Sequence, residues 1–328
     1  MEDTRMRAAV SHRFGGPEVV GIEEVPKPTP KADEVLIRVE ASTVSVADHR
    51  TRARDLPDGM WFYIPLALGV FRPRKPVLGM DVAGVVEAVG DDVTGFVPGD
   101  EVIAMLGAAF GGHAEYACVK QTDAIAPKPR NLTFEEAVTL VFGGYTALAY
   151  LNHVELAPGA EVLVNGASGA VGTAVVQLAK HRGAHVTAVC SGGNAEFVRS
   201  LGADRVIDYS VEDFTRNGET YDVIVECVGN APFSRVERSI KPGGALLLVI
   251  TSLGGMLRAS RDRKRSGKLV TFAGAPVTGE DLVSLVRLAE SGEYRPVIDR
   301  TYDFAEVVDA HRYVDTGRKR GNVVLRIA

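Results

Sequence analysis

Hydrophobic positions follow two different periods along the chain, and the change between them divides the sequence. Up to about residue 128, short apolar runs such as 35–39, 82–89 and 101–104 are separated by proline and glycine turns. These runs predict short strands in a compact, barrel-like β domain. From residue 160 onward, apolar runs alternate with stretches of helical spacing. That alternation predicts a parallel sheet covered on both faces by helices.

The second region contains the clearest helix of the sequence, from residue 170 to residue 182. Its apolar positions recur at the i, i+3, i+4, i+7 and i+8 spacing of one helix face: Val171, Ala174, Val175, Leu178 and Ala179. A further helix is expected at 133–151, broken or bent at Gly143 and Gly144. The predicted fold class is therefore α/β, with a doubly wound parallel sheet over residues 131–273 that follows a β-rich domain at 1–130. The remaining segment, 274–328, is expected to return to the first domain.

Composition and charge narrow the possible functions. The 328 residues carry a net charge of −5, which predicts about two domains and no large basic surface for nucleic acid. Cys118, Cys190 and Cys227 are far apart, which favours a reducing compartment without a disulfide framework. Neither a signal-like segment nor an uncharged apolar run of about 18 residues is evident. We expect a cytoplasmic protein with a small-molecule substrate and no nucleic-acid or membrane partner.

A glycine-rich loop is the strongest local signal. Residues 166–172 read Gly-Ala-Ser-Gly-Ala-Val-Gly and lie between the clearest strand and the clearest helix. Aligned on the dinucleotide fingerprint G-x-G-x-x-G, Ala167 replaces the first glycine, Gly169 lets a pyrophosphate approach, and Gly172 lets helix and strand pack closely. Free N–H groups at the helix start favour phosphate. The alternative is an ordinary glycine-rich turn. The predicted contacts are Ser168, Gly169, Ala170 and Val171.

The end of the next strand bears on which dinucleotide binds. NAD enzymes usually place an acid there, on the ribose 2′-hydroxyl, whereas this strand ends in Ser191 followed by two glycines. Ser191 can donate to a 2′-phosphate, and its alternative role is to cap the following helix. We therefore expect NADPH, with NADH as the alternative. The other predicted contacts end neighbouring strands or belong to the tail if it folds back: Tyr209, Val228, Ile250, Lys319 and Arg320.

Several short motifs occur in a specific order along the chain: 79–86 (GMDVAGVV), 98–102 (PGDEV), 144–147 (GYTA), 166–172, 200–204 (SLGAD), 206–209 (VIDY), 241–244 (KPGG) and 317–321 (GRKRG). Together they resemble the medium-chain dehydrogenase/reductase superfamily, and more closely its zinc-free quinone oxidoreductase (zeta-crystallin-like) branch. The resemblance implies a GroES-like catalytic domain, a Rossmann domain, a cofactor in the cleft between them and a homodimer.

The resemblance also allows the zinc ligands to be checked by residue. Zinc alcohol dehydrogenases of this superfamily carry a cysteine and a Gly-His-Glu segment, where this chain has Ser45 and Gly79-Met80-Asp81. Neither serine nor methionine is a workable Zn²⁺ ligand. His49, His113 and Cys118 are the remaining conceivable donors, and packing is the favoured interpretation of them. We therefore expect no metal.

Without zinc, hydride transfer to an already electrophilic carbon is easier than alcohol oxidation, because zinc normally stabilises the alkoxide. This favours quinones and α,β-unsaturated carbonyls as substrates. Tyr63, in the aromatic cluster at 60–65, is the candidate proton donor, and an apolar packing patch is the alternative. The resemblance places Ser45 near the nicotinamide ribose and Thr146 at the cofactor.

One strongly basic stretch, 258–268, is not accounted for by this interpretation. It is typical of a solvated helix face, although an anionic substrate such as an acyl-CoA is an alternative. The sequence therefore predicts an NADPH-dependent quinone or enone reductase. Two alternatives stay open: an enoyl-thioester reductase of fatty-acid or polyketide synthesis, and a non-catalytic NADPH-binding sensor or structural protein.

Overall fold

The computed structural model describes residues 4–60 and 68–328. The candidate proton donor Tyr63 lies outside these residues, as do the other members of 61–67. No helix within the described ranges is long and apolar enough to cross a membrane.

The described chain contains strands and helices in an order that changes near residue 160. The strands are β1 (Arg5–Ser11), β2 (Val20–Pro26), β3 (Glu34–Val44), β4 (Asp81–Val89), β5 (Glu101–Met105), β6 (Tyr116–Lys120), β7 (Ile125–Pro127), β8 (Glu161–Asn165), β9 (His185–Cys190), β10 (Arg205–Asp208), β11 (Tyr221–Glu226), β12 (Ile240–Leu248), β13 (Leu269–Thr271), β14 (Ile298–Asp303) and β15 (Asn322–Arg326). The helices are α1 (Val46–Ala53), α2 (Phe134–Leu151), α3 (Ala170–His181), α4 (Ala195–Ser200), α5 (Phe233–Val236), α6 (Leu253–Ser266), α7 (Gly279–Glu290) and α8 (Val307–Asp315).

Strands from both ends of the chain form the first large sheet. Its order is β14-β15-β3-β4-β5-β7, with β6 also paired to β3. The strand β15 pairs antiparallel with β3, so that Val324 lies opposite Thr43. The last strands therefore extend a sheet whose other members all come from the first 130 residues.

The second large sheet carries the alternating pattern of residues 160–271. Its order is β10-β9-β8-β11-β12-β13, and every neighbouring pair is parallel. Its central strands are almost wholly apolar, because both faces are buried. This is the doubly wound order, in which the strand sequence reverses between β8 and β11. The predicted α/β fold class is confirmed.

The helix α2 corrects one expectation. Gly143 and Gly144 do not break it, and α2 is continuous across them. A Cβ on Gly143 would lie 2.6 Å from the carbonyl oxygen of Ala170, and a Cβ on Gly144 would lie 2.8 Å from Leu285. The two glycines therefore let α2 pack closely against α3 and α7.

Candidate functional site

The phosphate loop lies at the point where the order of the parallel sheet reverses. Residues 166–169 leave β8, and residues 227–230 leave its neighbour β11. A crevice opens at such a reversal, outside the carboxyl ends of the strands, and doubly wound sheets bind their ligands there. The fold therefore places the predicted loop at the edge where a dinucleotide binds.

Two glycines of this loop are required by its geometry. Gly166 has a φ of +83°, which favours glycine. A Cβ on Gly172 would lie 2.1 Å from the carbonyl oxygen of Gly166, so only glycine allows α3 to approach the strand this closely. The residue of this turn with a positive φ is therefore Gly166. The alignment on the fingerprint had instead placed the first glycine position at the next residue, Ala167, which is buried.

The start of α3 is suited to an anion. Gly169 precedes the helix, and no side chain caps the first N–H groups. Among residues 4–60 and 68–328, a Cβ on Gly169 would meet only the carbonyl oxygen of Gly166, at 3.6 Å, so these residues leave space in front of the helix. Free N–H groups and the helix dipole together stabilise a pyrophosphate. The loop therefore fits the phosphates of a dinucleotide.

A second cluster lies at the end of β9. The parallel register pairs Asp208 with Cys190, which brings the next residues, Tyr209 and Ser191, to the same edge. Ser191 makes no side-chain capping bond, so its predicted alternative role is not seen. Arg320 reaches this edge from the tail and donates to the carbonyl oxygen of Gly193 over 3.1 Å. The structure thus brings together Ser191, Tyr209 and Arg320.

The tail also contacts the phosphate loop directly. The backbone N–H of Gly321 donates to the carbonyl oxygen of Ser168 over 2.8 Å, and Lys319 Nζ donates to the carbonyl oxygen of Gly321 over 2.6 Å. Burial lowers the pKa of Lys319 to about 8, while the charge of Asp299 opposes that shift. These contacts place residues 319–321 of the tail beside Ser168 of the phosphate loop.

An acid near Ser191 was missed by the sequence analysis. A Cβ on Gly192 would lie 2.3 Å from the Asp208 carboxylate, although the strand ending at Ser191 has no acid of its own. Hydrogen bonds from the backbone and hydroxyl of Ser210 lower the pKa of Asp208. Asp208 ends the neighbouring strand, so only the β9–β10 register could have revealed it. Its negative charge opposes a 2′-phosphate at this edge.

A second missed residue organises the opposite side of the crevice. Glu226 is fully buried at the end of β11, where it accepts hydrogen bonds from the backbone N–H groups of Val228 and Gly229 at 2.5 and 2.7 Å. Asn165, at the end of β8, donates to the same carboxylate over 2.7 Å. A Cβ on Gly229 would lie 3.3 Å from Ile250. Glu226 thereby fixes the turn that presents the predicted contact Val228, which is 47% exposed.

The positions that match zinc ligands have other roles. Ser45 Oγ donates to Asp48 over 2.6 Å and accepts from the N–H groups of Ala47 and Asp48, which caps α1. The carbonyl oxygen of Met80 accepts from the N–H of Leu106 over 2.7 Å. The hydroxyl of Ser45 is thus engaged in capping, and its predicted contact with the cofactor ribose stays a prediction. Within 4–60 and 68–328, no cluster of three His, Cys, Asp or Glu side chains is placed to hold a metal.

Next to these positions lies a buried carboxyl group. Burial raises the pKa of Asp81 to about 7, although Thr43 opposes the shift by donating its N–H and hydroxyl to the carboxylate over 2.8 and 2.7 Å. His113 donates from Nε2 to the carbonyl oxygen of Thr43 over 3.0 Å. A Cβ on Gly79 would lie 2.6 Å from His113. The hydrogen bond and tight packing of His113 agree with its interpretation as a packing residue.

The predicted contact Thr146 lies on α2, one turn after Gly143. Because residues three apart share a helix face, Thr146 is on the side of α2 that meets the start of α3 at Ala170. Thr146 is half-buried. Its contact with a cofactor stays a prediction.

A buried ion pair joins the beginning and the end of the first large sheet's domain. Arg52 of α1 has a fully buried side chain, and its guanidinium donates to both oxygens of Asp315 at 2.6 and 2.7 Å. His49 contacts the same carboxylate at 2.7 Å. Asp315 ends α8, six residues before the Gly321 that contacts the phosphate loop. Arg52 therefore positions the tail segment that reaches the crevice.

Comparison with known proteins agrees with this geometry. A family model described as "Alcohol dehydrogenase GroES-like domain" matches residues 31–130, and one described as "Zinc-binding dehydrogenase" matches residues 201–325. The second match begins well beyond Ser45 and Met80, so its name does not concern those positions.

Relatives match along nearly the whole chain. The chain is 35% identical to 2-methylene-furan-3-one reductase from Solanum lycopersicum, over 98% of this chain and 79% of that protein. It is 33% identical to NADPH-dependent alkenal/one oxidoreductase, chloroplastic, from Arabidopsis thaliana, with the same coverage of each chain. A solved structure of the quinone oxidoreductase from Coxiella burnetii superposes with a TM-score of 0.83 at 28% identity, over 99% of this chain and 100% of that chain. The chain therefore belongs to the medium-chain dehydrogenase/reductase superfamily, in its zinc-free quinone oxidoreductase branch, and is an oxidoreductase with a nicotinamide cofactor.

Proposed function

We propose that this protein is an NADPH-dependent reductase that delivers hydride to quinones or α,β-unsaturated carbonyls without a zinc ion. The observation that carries the proposal is the arrangement of residues at the carboxyl edge of the parallel sheet. There an uncapped helix start adjoins the phosphate loop, and the tail brings Lys319 and Arg320 against it. The names of the enone, alkenal and quinone oxidoreductases among the relatives support the same substrate class.

The chain's own residues have distinct tasks in this proposal. Residues 166–172 and the start of α3 hold the pyrophosphate, while Ser191, Tyr209 and Arg320 surround the adenosine ribose. The bound nicotinamide supplies the hydride. Since Ser45 and Met80 offer no zinc ligand, the substrate must be one whose negative charge spreads over an enolate or phenolate. We retain Tyr63 as the proposed proton donor and a homodimer as the proposed assembly.

The cofactor preference is tested by fluorescence titration of NADPH and NADH. Arg320→Gln removes a charge-assisted hydrogen-bond donor worth about 1.5–3 kcal/mol, so NADPH affinity is expected to fall roughly 10- to 100-fold while NADH affinity changes little. Asp208→Asn removes the opposing charge and is expected to shift the preference further toward NADPH. Tighter binding of NADH to the unmodified protein would contradict the proposal.

The reaction is tested by stopped-flow mixing of the NADPH complex with 1,4-naphthoquinone and with but-3-en-2-one. Accelerated loss of NADPH absorbance with either acceptor is expected. If neither acceptor accelerates the loss, the non-catalytic NADPH-binding alternative is favoured instead.

A further inference from the structure

The helix α6 and the two residues after it carry the most concentrated positive charge of the chain. Residues 258–268 contain six Lys or Arg residues and one Asp, although the whole chain has a net charge of −5. Most of this charge is exposed. The rest of the protein is correspondingly more acidic, so the positive charge is local to one helix.

Part of this charge is neutralised within the protein. Arg265 pairs with Glu237 at 2.7 Å, and Lys268 donates to the carbonyl oxygen of Ile240 over 2.6 Å. For three other cations of this helix, Arg258, Arg261 and Lys264, no carboxylate lies within ion-pair distance in the described part of the chain. These three exposed cations are available to an anion from outside.

One side of α6 begins at a contact with the catalytic domain. Leu253, Leu257, Arg261 and Lys264 are spaced by three or four residues and therefore share one side of α6. At the first turn of that side, the N–H of Leu253 donates to the carbonyl oxygen of Asp58 over 3.0 Å, and a Cβ on Gly59 would lie 3.1 Å from Leu253. The side thus begins where α6 meets the catalytic domain, and Lys264 is about 16 Å further along the helix.

A depression of about 550 Å³ lies on the same side, lined by Leu257, Ser260, Arg261, Lys264 and Arg265. Guanidinium groups match phosphate oxygens in charge and geometry, while the exposed Leu257 offers apolar contact.

We propose that this side of α6 binds the phosphate groups of a coenzyme A thioester, so that the substrate of the crevice is an α,β-unsaturated acyl-CoA. This inference rests on the proposed reductase function and names its substrate class. The β-carbon of the substrate gains the hydride of NADPH, which becomes NADP⁺. The electron pair of the C=C bond forms a thioester enolate, and a solvent proton adds to the α-carbon. The product is the saturated thioester.

Three substrates test the proposal: crotonyl-CoA, crotonyl-pantetheine, which has the same thioester without phosphates, and but-3-en-2-one. The quantity measured is kcat/KM for each at 50 mM salt. For the unmodified protein, crotonyl-CoA is expected to exceed crotonyl-pantetheine by roughly tenfold or more, because a basic approach raises the association rate of an anion. The ratio is expected to fall as salt rises to 300 mM, since salt screens exposed charges.

The variant Arg258→Gln/Arg261→Gln/Lys264→Gln is expected to bring that ratio close to one, with but-3-en-2-one turnover unchanged. Glutamine keeps the helix propensity of these positions. The matched control, Lys31→Gln/Lys120→Gln/Arg287→Gln, removes three exposed cations elsewhere and is expected to keep the ratio.

Equal kcat/KM for the two thioesters in the unmodified protein would overturn the inference, as would a ratio that the α6 variant leaves intact. If the α6 variant does not fold, the salt series on the unmodified protein replaces it, and a ratio that does not change with salt would overturn the inference. Turnover of but-3-en-2-one without any advantage for crotonyl-CoA would refute this inference alone. Absence of turnover with all three substrates and with 1,4-naphthoquinone would refute the proposed function itself.

Discussion

Replacing Gly172 with alanine tests whether the close packing of α3 on β8 sets the shape of the phosphate loop. The added Cβ would lie 2.1 Å from the carbonyl oxygen of Gly166 and 2.8 Å from the Cα of Ala167. Both neighbours are backbone atoms, so no side chain can rotate away. The helix and the loop must therefore separate by roughly 1 Å to restore ordinary contact in a close-packed interior.

The expected cost follows from two opposing effects. Overpacking of this kind costs about 1–3 kcal/mol, and alanine regains up to about 1 kcal/mol because it favours the helix more than glycine does. We expect the free energy of unfolding to fall by about 1–2 kcal/mol in urea titrations. NADPH affinity, measured by fluorescence titration, is expected to fall at least roughly tenfold because the displaced loop changes the direction of its N–H groups.

Gly169→Val is the matched control, because a Cβ there meets only one atom, at 3.6 Å, and the φ of −82° suits any residue. This variant is expected to keep its free energy of unfolding within about 1 kcal/mol and yet to lose NADPH binding, since the side chain fills the space of the pyrophosphate. A Gly172→Ala protein with unchanged stability and unchanged affinity would refute the packing argument. Retained affinity in Gly169→Val would refute the assignment of the loop.

Three further predictions concern the catalytic domain. Burial raises the pKa of Asp81 from 3.8 to about 7 in the native state. Between these pH values the native state holds a proton on Asp81 that the unfolded chain has lost, so the free energy of unfolding should fall as pH rises from 4 to 7. Asp81→Asn should reduce this fall by up to about 4 kcal/mol, measured by urea titration at each pH. Arg52→Gln removes the guanidinium from the half-buried Asp315 carboxylate and leaves His49 as its partner. This variant should weaken NADPH binding more than it lowers kcat, with partial rescue by Arg52→Lys, whereas equal NADPH affinity in all three proteins would limit the pair to stability. Elemental analysis of the purified protein should find well under one zinc per chain, and stoichiometric zinc would contradict the interpretation of Ser45 and Met80.

The part of the site that sequence reasoning could predict is local in the chain. Residues 166–172 combine a strand end, a turn and a helix start within seven positions, and each of these has its own residue preference. The predicted loop therefore lies where the sheet order reverses. The position of Ser191 at the end of β9 was predictable for the same reason, because it directly follows a largely apolar strand. Its contact with a cofactor stays a prediction.

Residues that depend on neighbouring strands were not predictable in this way. Asp208 approaches Gly192 only because β10 pairs with β9 in one particular register. Glu226 is a buried acid at the end of β11, and its role depends on Asn165 of the adjacent strand. The periodic pattern of a helix or strand does not show which residues a buried charge contacts. The partners of such a residue become evident only from the fold. Gly143 illustrates the same limit, since its close neighbour Ala170 lies on another helix.

The tail links the carboxyl edge of the parallel sheet to the catalytic domain. Arg320 and Gly321 contact Gly193 and the phosphate loop of the parallel sheet, yet the strand that follows them, β15, belongs to the other sheet and pairs with β3. The preceding helix ends at Asp315, which the buried Arg52 holds in place. Segment 316–321 is therefore flanked on both sides by elements of the catalytic domain, and its last residues, Arg320 and Gly321, lie at the proposed dinucleotide site. If a dinucleotide binds at this edge, as we propose, its binding should stabilise both domains at once, because neither domain forms the edge alone.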